Sequence, residues 1–448
     1  MNKVFSILTG KAVVIAGKIL KRGSSLPGKI TLQLNKNIMK EFKLPKTVIA
    51  VTGSSGKGSI SSMLAEIYRQ MGYKVAHNSK GSNLSAGITT LMLENCTITG
   101  KIKTDIVIYE IDERYTKEVF KDLKPTHVII SNITRDQPPR QGNVDLVFEE
   151  IQKALTDDME LILNADDPYL YKFNLNTSHK TIYYGINKTK YATRKSKFEN
   201  LNITYCPKCQ SRLIYDYYHF ESIGNFHCSK CDFKRETPKF EITKLDYDNQ
   251  EIVINDKYHI HTPYSVLYGI YNTLAVFSTT THLGLDPDKV INIINNMNSN
   301  KKLYDQYQYE DRIVTVLNNK NENSTTFNQS LLFVDRFKET KTIVIGWKEI
   351  SRRYNFDDLS WLYDIDFELL NNDSIDKVVC VGIHRYDIAT RMKYAGIDEK
   401  KILIFDNLEK ATETIKKKTK GNIYAILNFD YVKPFNTLMN ETGDHKWE

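Results

Sequence analysis

Apolar residues recur at helical spacing from the start of the chain: Val4, Ile7, Leu8, Val14, Ile15, Ile19 and Leu20. This pattern predicts an amphipathic helix. Lys11 and Lys18 interrupt it, so it lacks the unbroken apolar core of a signal peptide and the roughly 20 apolar residues of a membrane span. A β-branched run at 47–51 then ends in Gly53, and Ile60, Met63, Leu64, Ile67 and Met71 follow at helical spacing. That reads as strand, glycine turn, helix. More strand-like runs occur at 106–108, 127–130 and 161–163, with helical stretches between them. Such alternation predicts a parallel sheet covered on both faces.

Strand-like segments resume at 240–242 and 251–254, residues 269–296 read as helices, and the asparagine-rich stretch 318–329 reads as a loop. Apolar strands at 342–345, 378–381, 402–405 and 423–427 predict a second, smaller α/β domain. The expected organisation is an N-terminal lead-in over 1–45, a central domain over 46–300 and a C-terminal α/β domain over 301–448.

The composition is that of a soluble globular protein, and a net charge of +8 over 448 residues does not by itself call for nucleic acid. Charge matters locally. Lys3, Lys11, Lys18, Lys21, Arg22 and Lys29 fall in the first 30 residues without an acid. A cytoplasmic protein is expected, with a peripheral contact at the inner face of the membrane open to its basic helix.

Four of the six cysteines form two Cys-x-x-Cys pairs, Cys206/Cys209 and Cys228/Cys231, with 18 residues between them. The spacing suits one tetrahedral structural zinc, held by two knuckles in a ribbon over about 202–236. Four thiolates leave no open position for catalysis. Two disulfides would need an oxidising compartment. His227 adjoins Cys228 as a bystander, while Cys96 and Cys380 sit in apolar stretches as ordinary core thiols.

Gly53-Ser54-Ser55-Gly56-Lys57 lies between the strand and the helix. There, backbone N–H groups and the helix dipole attract phosphate, and Lys57 can reach outer phosphates. Glu110, Asp112 and Glu113 follow the strand at 106–108, at the sheet edge where ligands bind. Carboxylates there can hold the Mg²⁺ that bridges ATP phosphates.

Gly53–Lys57, the run Glu110-Ile-Asp-Glu113 and Leu163-Asn-Ala-Asp-Asp-Pro168 resemble, in order, the motifs of the Mur ligases. Within that superfamily the chain is similar to the MurT-type synthetase subunits of lipid II isoglutaminyl synthases. The narrower match rests on residues 22–29, on 77–83 with 86–89, on the cysteine ribbon and on the run 358–368. The resemblance implies a Mur-ligase-like ATP-binding parallel-sheet domain with an inserted zinc ribbon, plus a smaller C-terminal α/β domain. It implies ATP, Mg²⁺ and Zn²⁺ as cofactors, and amidation of the D-glutamate carboxylate of lipid II to D-isoglutamine. Ammonia would come from a GatD-like glutaminase subunit, with lipid II met at the membrane face. It implies that Asp358 faces that glutaminase and supports its catalytic pair, and that Asn272 lies near the nucleotide ribose.

Departures cluster at the nucleotide site. Gly58 stands where the family carries a magnesium-binding hydroxyl, and the next hydroxyl, Ser59, is turned about 100° along the helix. Residues 132–137 keep the start of a further motif, but 139–143 lack its two acids. Gly269 replaces the first of two paired asparagines, and Lys301-Lys302 replaces a Gly-Arg pair. A catalytically weakened paralogue, acting as scaffold or regulator of the glutaminase, is therefore the alternative. A nucleic-acid-binding ribbon is disfavoured, because Arg212, Lys230, Lys234 and Arg235 are mixed with Asp216, Glu221 and Asp232.

Overall fold

The computed structural model describes residues 2–19, 25–79, 82–134, 143–264, 266–297, 304–317, 323–347 and 358–440. Residues 22–24, 80–81, 139–142 and 301–302, on which parts of the family comparison rest, lie outside them. The chain forms two compact units. One comprises 1–134, 144–195 and 202–297, and the other comprises 135–143, 196–201 and 298–448.

The first unit is built on β1 (Thr47–Thr52), β2 (Val75–His77), β3 (Ile106–Glu110), β4 (His127–Ile130), β5 (Glu160–Asn164) and β6 (Thr181–Ile186). The last three strands of its sheet are β9 (Phe240–Asp246), β10 (Glu251–Ile254) and β11 (Tyr258–His261). The nine strands run in the order β11-β10-β9-β6-β5-β4-β1-β3-β2. From β2 to β9 the neighbours pair in parallel, and β9, β10 and β11 are antiparallel. The central strands β1, β3 and β4 are buried except for one end residue each, and β5 is buried throughout, which explains why they read as continuous apolar runs. Helix α3 (Lys57–Gln70) leaves β1, while α1 (Lys3–Ile19), α2 (Leu26–Leu34) and α4 (Ser85–Asn95) pack together. Strand order reverses between β1 and β4, so the loops after these strands open side by side, the usual place for a ligand in such a sheet.

In the second unit, β12 (Tyr304–Tyr309), β13 (Arg312–Leu317), β14 (Lys341–Trp347), β15 (Ile375–Gly382), β16 (Ile402–Phe405) and β17 (Asn422–Leu427) run β12-β13-β17-β14-β15-β16. All are parallel except β12 with β13. One sequence expectation fails here. The polar stretch 318–329 reads as a loop, yet a helix spans Ser324–Asp335. The Asn323 side chain accepts from Thr326 N–H and caps it, while Phe327, Leu331, Phe333 and Val334 are buried. Its Thr, Asn and Ser residues hide a helix that tertiary burial stabilises.

Candidate functional site

The glycine loop is folded against the end of β4. Gly53 has φ +118 and Gly56 has φ +84, and a Cβ would lie 2.6 Å from Asn132 O at the first and 2.6 Å from Asn272 Oδ1 at the second. Only glycine tolerates both demands. Ser54 N–H donates to Asn132 O (2.9 Å), and Ser55 N–H donates to Asn132 Oδ1 (3.1 Å). Asn132 Nδ2 donates back to Ser55 O (3.1 Å), and the Ser131 hydroxyl donates to the same carbonyl (2.5 Å). The Ser54 hydroxyl accepts from Thr134 N–H (2.9 Å). Sequence reasoning missed this clamp, although Ser131-Asn132 directly after an apolar strand was the available signal.

Lys57 opens α3 with its ammonium 3.0 Å from Glu113 Oε1 and donating to Gly53 O. Both ends of the pair are largely shielded from solvent, with side-chain exposures of 13% and 12%. Burial alone would lower the Lys57 pKa, but Glu113, then Glu110 and Asp112, outweigh it and hold it raised. Two acceptors engage it among the described residues, which leaves one of three ammonium donors for an anion. Asp112 instead forms a two-point pair with Arg114, at 2.8 and 2.7 Å.

Glu110 is set by its neighbours. Asn78 bonds its backbone on both sides, at 2.8 and 2.9 Å, and Asn83 Nδ2 donates to Oε1 at 3.1 Å. Its other oxygen, Oε2, would lie 3.2 Å from a Cβ on Gly58. Gly58 therefore leaves open space against a held carboxylate, which suits a hydrated Mg²⁺ that needs few protein ligands. Asn272, buried on the helix Leu267–His282, closes over Gly56. Gly269, one turn earlier, has a structural reason: a Cβ there would lie 2.4 Å from the Tyr264 ring. The Tyr264 hydroxyl donates to Met63 Sδ at 3.8 Å, and its pKa is raised by burial with Ser59 close enough to oppose that shift. Ser59 thus faces Tyr264. Six predicted residues of the loop and its helix, namely Gly53, Ser54, Ser55, Gly56, Lys57 and Ser59, come together with Asn272, Glu110 and Glu113 in one place.

His77 lies at the end of β2, with Nε2 3.2 Å from the Ser61 hydroxyl. Burial first, then Arg69, brings its pKa down from 6.5 to about 4. The unfolded chain takes up this proton near 6.5, whereas the folded chain resists it down to about 4. Stability present above pH 6.5 is therefore lost as pH falls through that window, with a ceiling of about 3 kcal/mol. His77→Asn should flatten the pH dependence of urea unfolding between pH 6.5 and 4. An unchanged slope would assign that window to other groups.

The cysteines meet as the spacing requires. The strands Leu213–Phe220 (β7) and Ile223–Cys228 (β8) form an antiparallel hairpin. The four sulfurs lie within 4.8 Å of one another, with Cys206 to Cys231 at 3.6 Å and Cys209 to Cys228 at 3.4 Å. Zn–S bonds of about 2.3 Å in a tetrahedron set sulfurs about 3.8 Å apart, so the donor set fits zinc. Hydrogen bonds from the Ser211 side chain and backbone bring the Cys209 thiol down to about 6, while burial pushes Cys206 up to about 12, as expected of close thiols that titrate together. Phe226, Phe233 and Tyr171 form a small core beneath the cluster. His227 stands aside, 4.0 Å from Asp216.

The ribbon is tied to the sheet by a buried ion pair that the sequence did not reveal. Arg235 Nε meets Asp166 Oδ1 at 2.7 Å, with side-chain exposures of 9% and 0%. Asp166 also accepts from the Tyr271 hydroxyl and Ile186 N–H, both at 2.7 Å. Asp358 belongs to the second unit, where its Oδ1 accepts from Ser360 N–H at 2.9 Å. That bond starts the helical turn Ser360–Asp364, which carries the buried Trp361.

Comparison with known proteins agrees with this architecture. The family described as the Mur ligase middle domain matches residues 51–280, and that described as MurT ligase C-terminal matches 320–431. The chain is 29% identical over 430 residues to the subunit MurT of lipid II isoglutaminyl synthase (glutamine-hydrolyzing) from Staphylococcus aureus (strain COL), covering 94% of each chain. To the same-named protein of Streptococcus pneumoniae (strain ATCC BAA-255 / R6) it is 25% identical over 446 residues, covering 98% of this chain and 97% of that one. A pseudomurein peptide ligase type C from Methanothermus fervidus shares the fold with a TM-score of 0.68 at 20% identity, over 90% of this chain and 80% of the other. MurF ligase from Thermotoga maritima, solved with ADP, has a TM-score of 0.55 at 16% identity, over 92% and 85%.

Proposed function

The chain belongs to the Mur ligase family, and from that premise we propose that it is the synthetase subunit of an enzyme that amidates lipid II. The observation that carries this reading is the glycine loop with Lys57, Glu110 and Glu113 gathered around it. Likeness to two named synthase subunits over nearly the whole chain supports the substrate assignment.

In the proposed reaction the D-glutamate carboxylate of the stem peptide attacks the γ-phosphorus of ATP. The bond to ADP breaks and an acyl phosphate forms. Ammonia then adds to the acyl carbon, the bond to phosphate breaks, and loss of a proton leaves D-isoglutamine and inorganic phosphate. Amidation needs this activation because a free carboxylate has no adequate leaving group. Ser54 and Ser55 direct their N–H groups to Asn132, so the N–H groups from Gly56 into the first turn of α3 cradle phosphate, and Lys57 supplies the fixed positive charge. Glu110 and Glu113 are the carboxylates that would hold Mg²⁺, which when bound neutralises phosphate charge. Asn272 contributes to the nucleotide pocket over Gly56, and Ser59 lies beside Tyr264. Cys206, Cys209, Cys228 and Cys231 hold a structural zinc.

A GatD-like glutaminase subunit would supply ammonia, with Asp358 serving the glutaminase active site. Asp358→Asn is then expected to leave activity with free ammonia within about twofold while lowering glutamine-dependent activity at least about tenfold. Equal loss with both nitrogen sources would place Asp358 in the synthetase chemistry.

The direct test is ATP-dependent amidation of lipid II by the purified protein, with glutamine plus a co-expressed glutaminase or with ammonia. Gly58 is the specific observation behind a second reading, a scaffold for the glutaminase. A stable complex without conversion from either nitrogen source would favour that reading and defeat the first.

A further inference from the structure

Helix α1 is apolar on both sides, but the protein covers only one. Ile7, Gly10 and Val14 are buried against α2 and α4, and the approach is close enough that a Cβ on Gly10 would lie 2.4 Å from Thr31 Oγ1 and 2.8 Å from Leu93 Cδ1. The opposite face carries Val4, Phe5, Leu8, Ala12, Ile15 and Ile19, spaced as one continuous stripe. Phe5 is 56% exposed, Leu8 48%, Ile15 61% and Ile19 77%. A helix apolar all round normally lies in a core or against lipid, and no helix among the described residues is long and apolar enough to cross a membrane.

Charge indicates what covers the stripe. The first 40 residues contain eight Lys and Arg and no Asp or Glu. Lys11 and Lys18, seven residues apart, border the stripe along one edge. Lys11 donates to Leu93 O at 2.7 Å, while Lys18, 69% exposed, makes only a long 3.8 Å contact with Glu94 and is the cation of this edge turned to solvent. At the amino-terminal end of the helix, Lys3 pairs with Glu41 at 3.1 Å. Its chain also lies 3.2 Å from where a Cβ on Gly100 would stand. Beside these residues opens a cleft of about 610 Å³ lined by the exposed Lys43, Lys101 and Lys103, with Asp105 at its rim. The Thr104 hydroxyl in its wall is buried without a hydrogen-bond partner.

We propose that the outward face of α1 docks on an anionic lipid bilayer, its apolar stripe seated among the acyl-chain boundaries and its lysines against the headgroups. Basic amphipathic helices bind such surfaces by this pairing of apolar area with positive charge. A second copy of the chain fits less well, because a twofold contact through this face would set one acid-free basic segment against another. The docking rests on surface chemistry alone, so its success or failure is independent of the ligase reading. If both hold, the phosphate loop works in a unit held at the surface where a lipid-linked substrate resides.

The experiment is co-sedimentation of the full chain with phosphatidylglycerol/phosphatidylcholine vesicles and with phosphatidylcholine vesicles, both free of cell-wall precursor. Partition onto the anionic vesicles should be at least about tenfold greater and should fall in high salt. Leu8→Ser/Ile15→Ser should cut it by about 100-fold, roughly tenfold for each apolar side chain kept in water, at an unchanged melting temperature. As a readout that leaves the stripe apolar, Phe5→Trp should give a blue-shifted emission with anionic vesicles, quenched by brominated lipid. Equal partition of wild type and double variant, or no spectral shift in Phe5→Trp, would overturn the proposal. So would a dimer, measured by light scattering, that the double variant abolishes while vesicles leave the wild type in solution.

Discussion

Lys57→Ala is expected to lower ATP-dependent amidation by about 10³-fold, with glutamine or ammonia as nitrogen source. Lys57 is the cation that opens α3 from the glycine loop, and removing one preorganised charge from a transition state typically costs about 10²–10³ in rate. The substitution has a second consequence. Glu113, 12% exposed, would lose its partner at 3.0 Å, and breaking a buried pair from one side costs about 3–5 kcal/mol.

Loss of activity could then reflect a loosened loop. Lys57→Ala/Glu113→Gln separates the two effects, since it removes the orphaned charge along with the cation. The double variant should regain most of the melting temperature lost by the single one and stay inactive. Activity returning with stability would mean that Lys57 only holds Glu113 in place, and the phosphate role would fall. The raised pKa of Lys57 gives a further check. Its pairing contributes stability in full below the unfolded value near 10.5 and loses it as pH rises through the higher folded value. The single variant should therefore show a weaker alkaline loss of stability than wild type.

Cys206→Ala should carry the largest structural effect. Zinc content is expected to fall from one per chain to near zero, because three thiolates no longer close the tetrahedron. Structural zinc contributes about 10–16 kcal/mol in small metal-folded modules, and that energy is spent on folding the module itself. The ribbon core of Tyr171, Leu213, Phe226 and Phe233 is small, so hydrogen exchange should show residues 202–236 losing protection. The parallel sheet has its own large core and should remain protected.

Damage should spread along one route. Arg235 sits at the end of the ribbon and neutralises Asp166, which is fully buried. A loosened ribbon leaves that carboxylate with Tyr271 and a backbone N–H but no cation, so the C-terminal ends of β5 and β6 should soften next. A folded Cys206→Ala protein with wild-type zinc content would remove the zinc assignment.

The sequence by itself determined what depends on neighbours along the chain. Continuous apolar runs marked buried parallel strands, paired Cys-x-x-Cys spacing marked the ribbon, and glycines between strand and helix marked the loop. Positive φ at Gly53 and Gly56 and two-residue knuckles are local constraints, written within a few positions. Polar composition misled over 324–329, the start of the helix Ser324–Asp335, where an Asn323 cap and a buried apolar face outweigh the turn preferences of Thr, Asn and Ser.

Tertiary structure alone decided the rest, since it depends on residues far apart in sequence. Lys57 meets Glu113 across 56 positions, Ser55 meets Asn132 across 77 and Asp166 meets Arg235 across 69. The room left by Gly58 acquires meaning only beside Glu110, and Gly269 only beneath the Tyr264 ring. Strand order brings those partners together, and strand order follows from which apolar faces bury one another over the whole unit, a global balance that no short stretch of sequence contains.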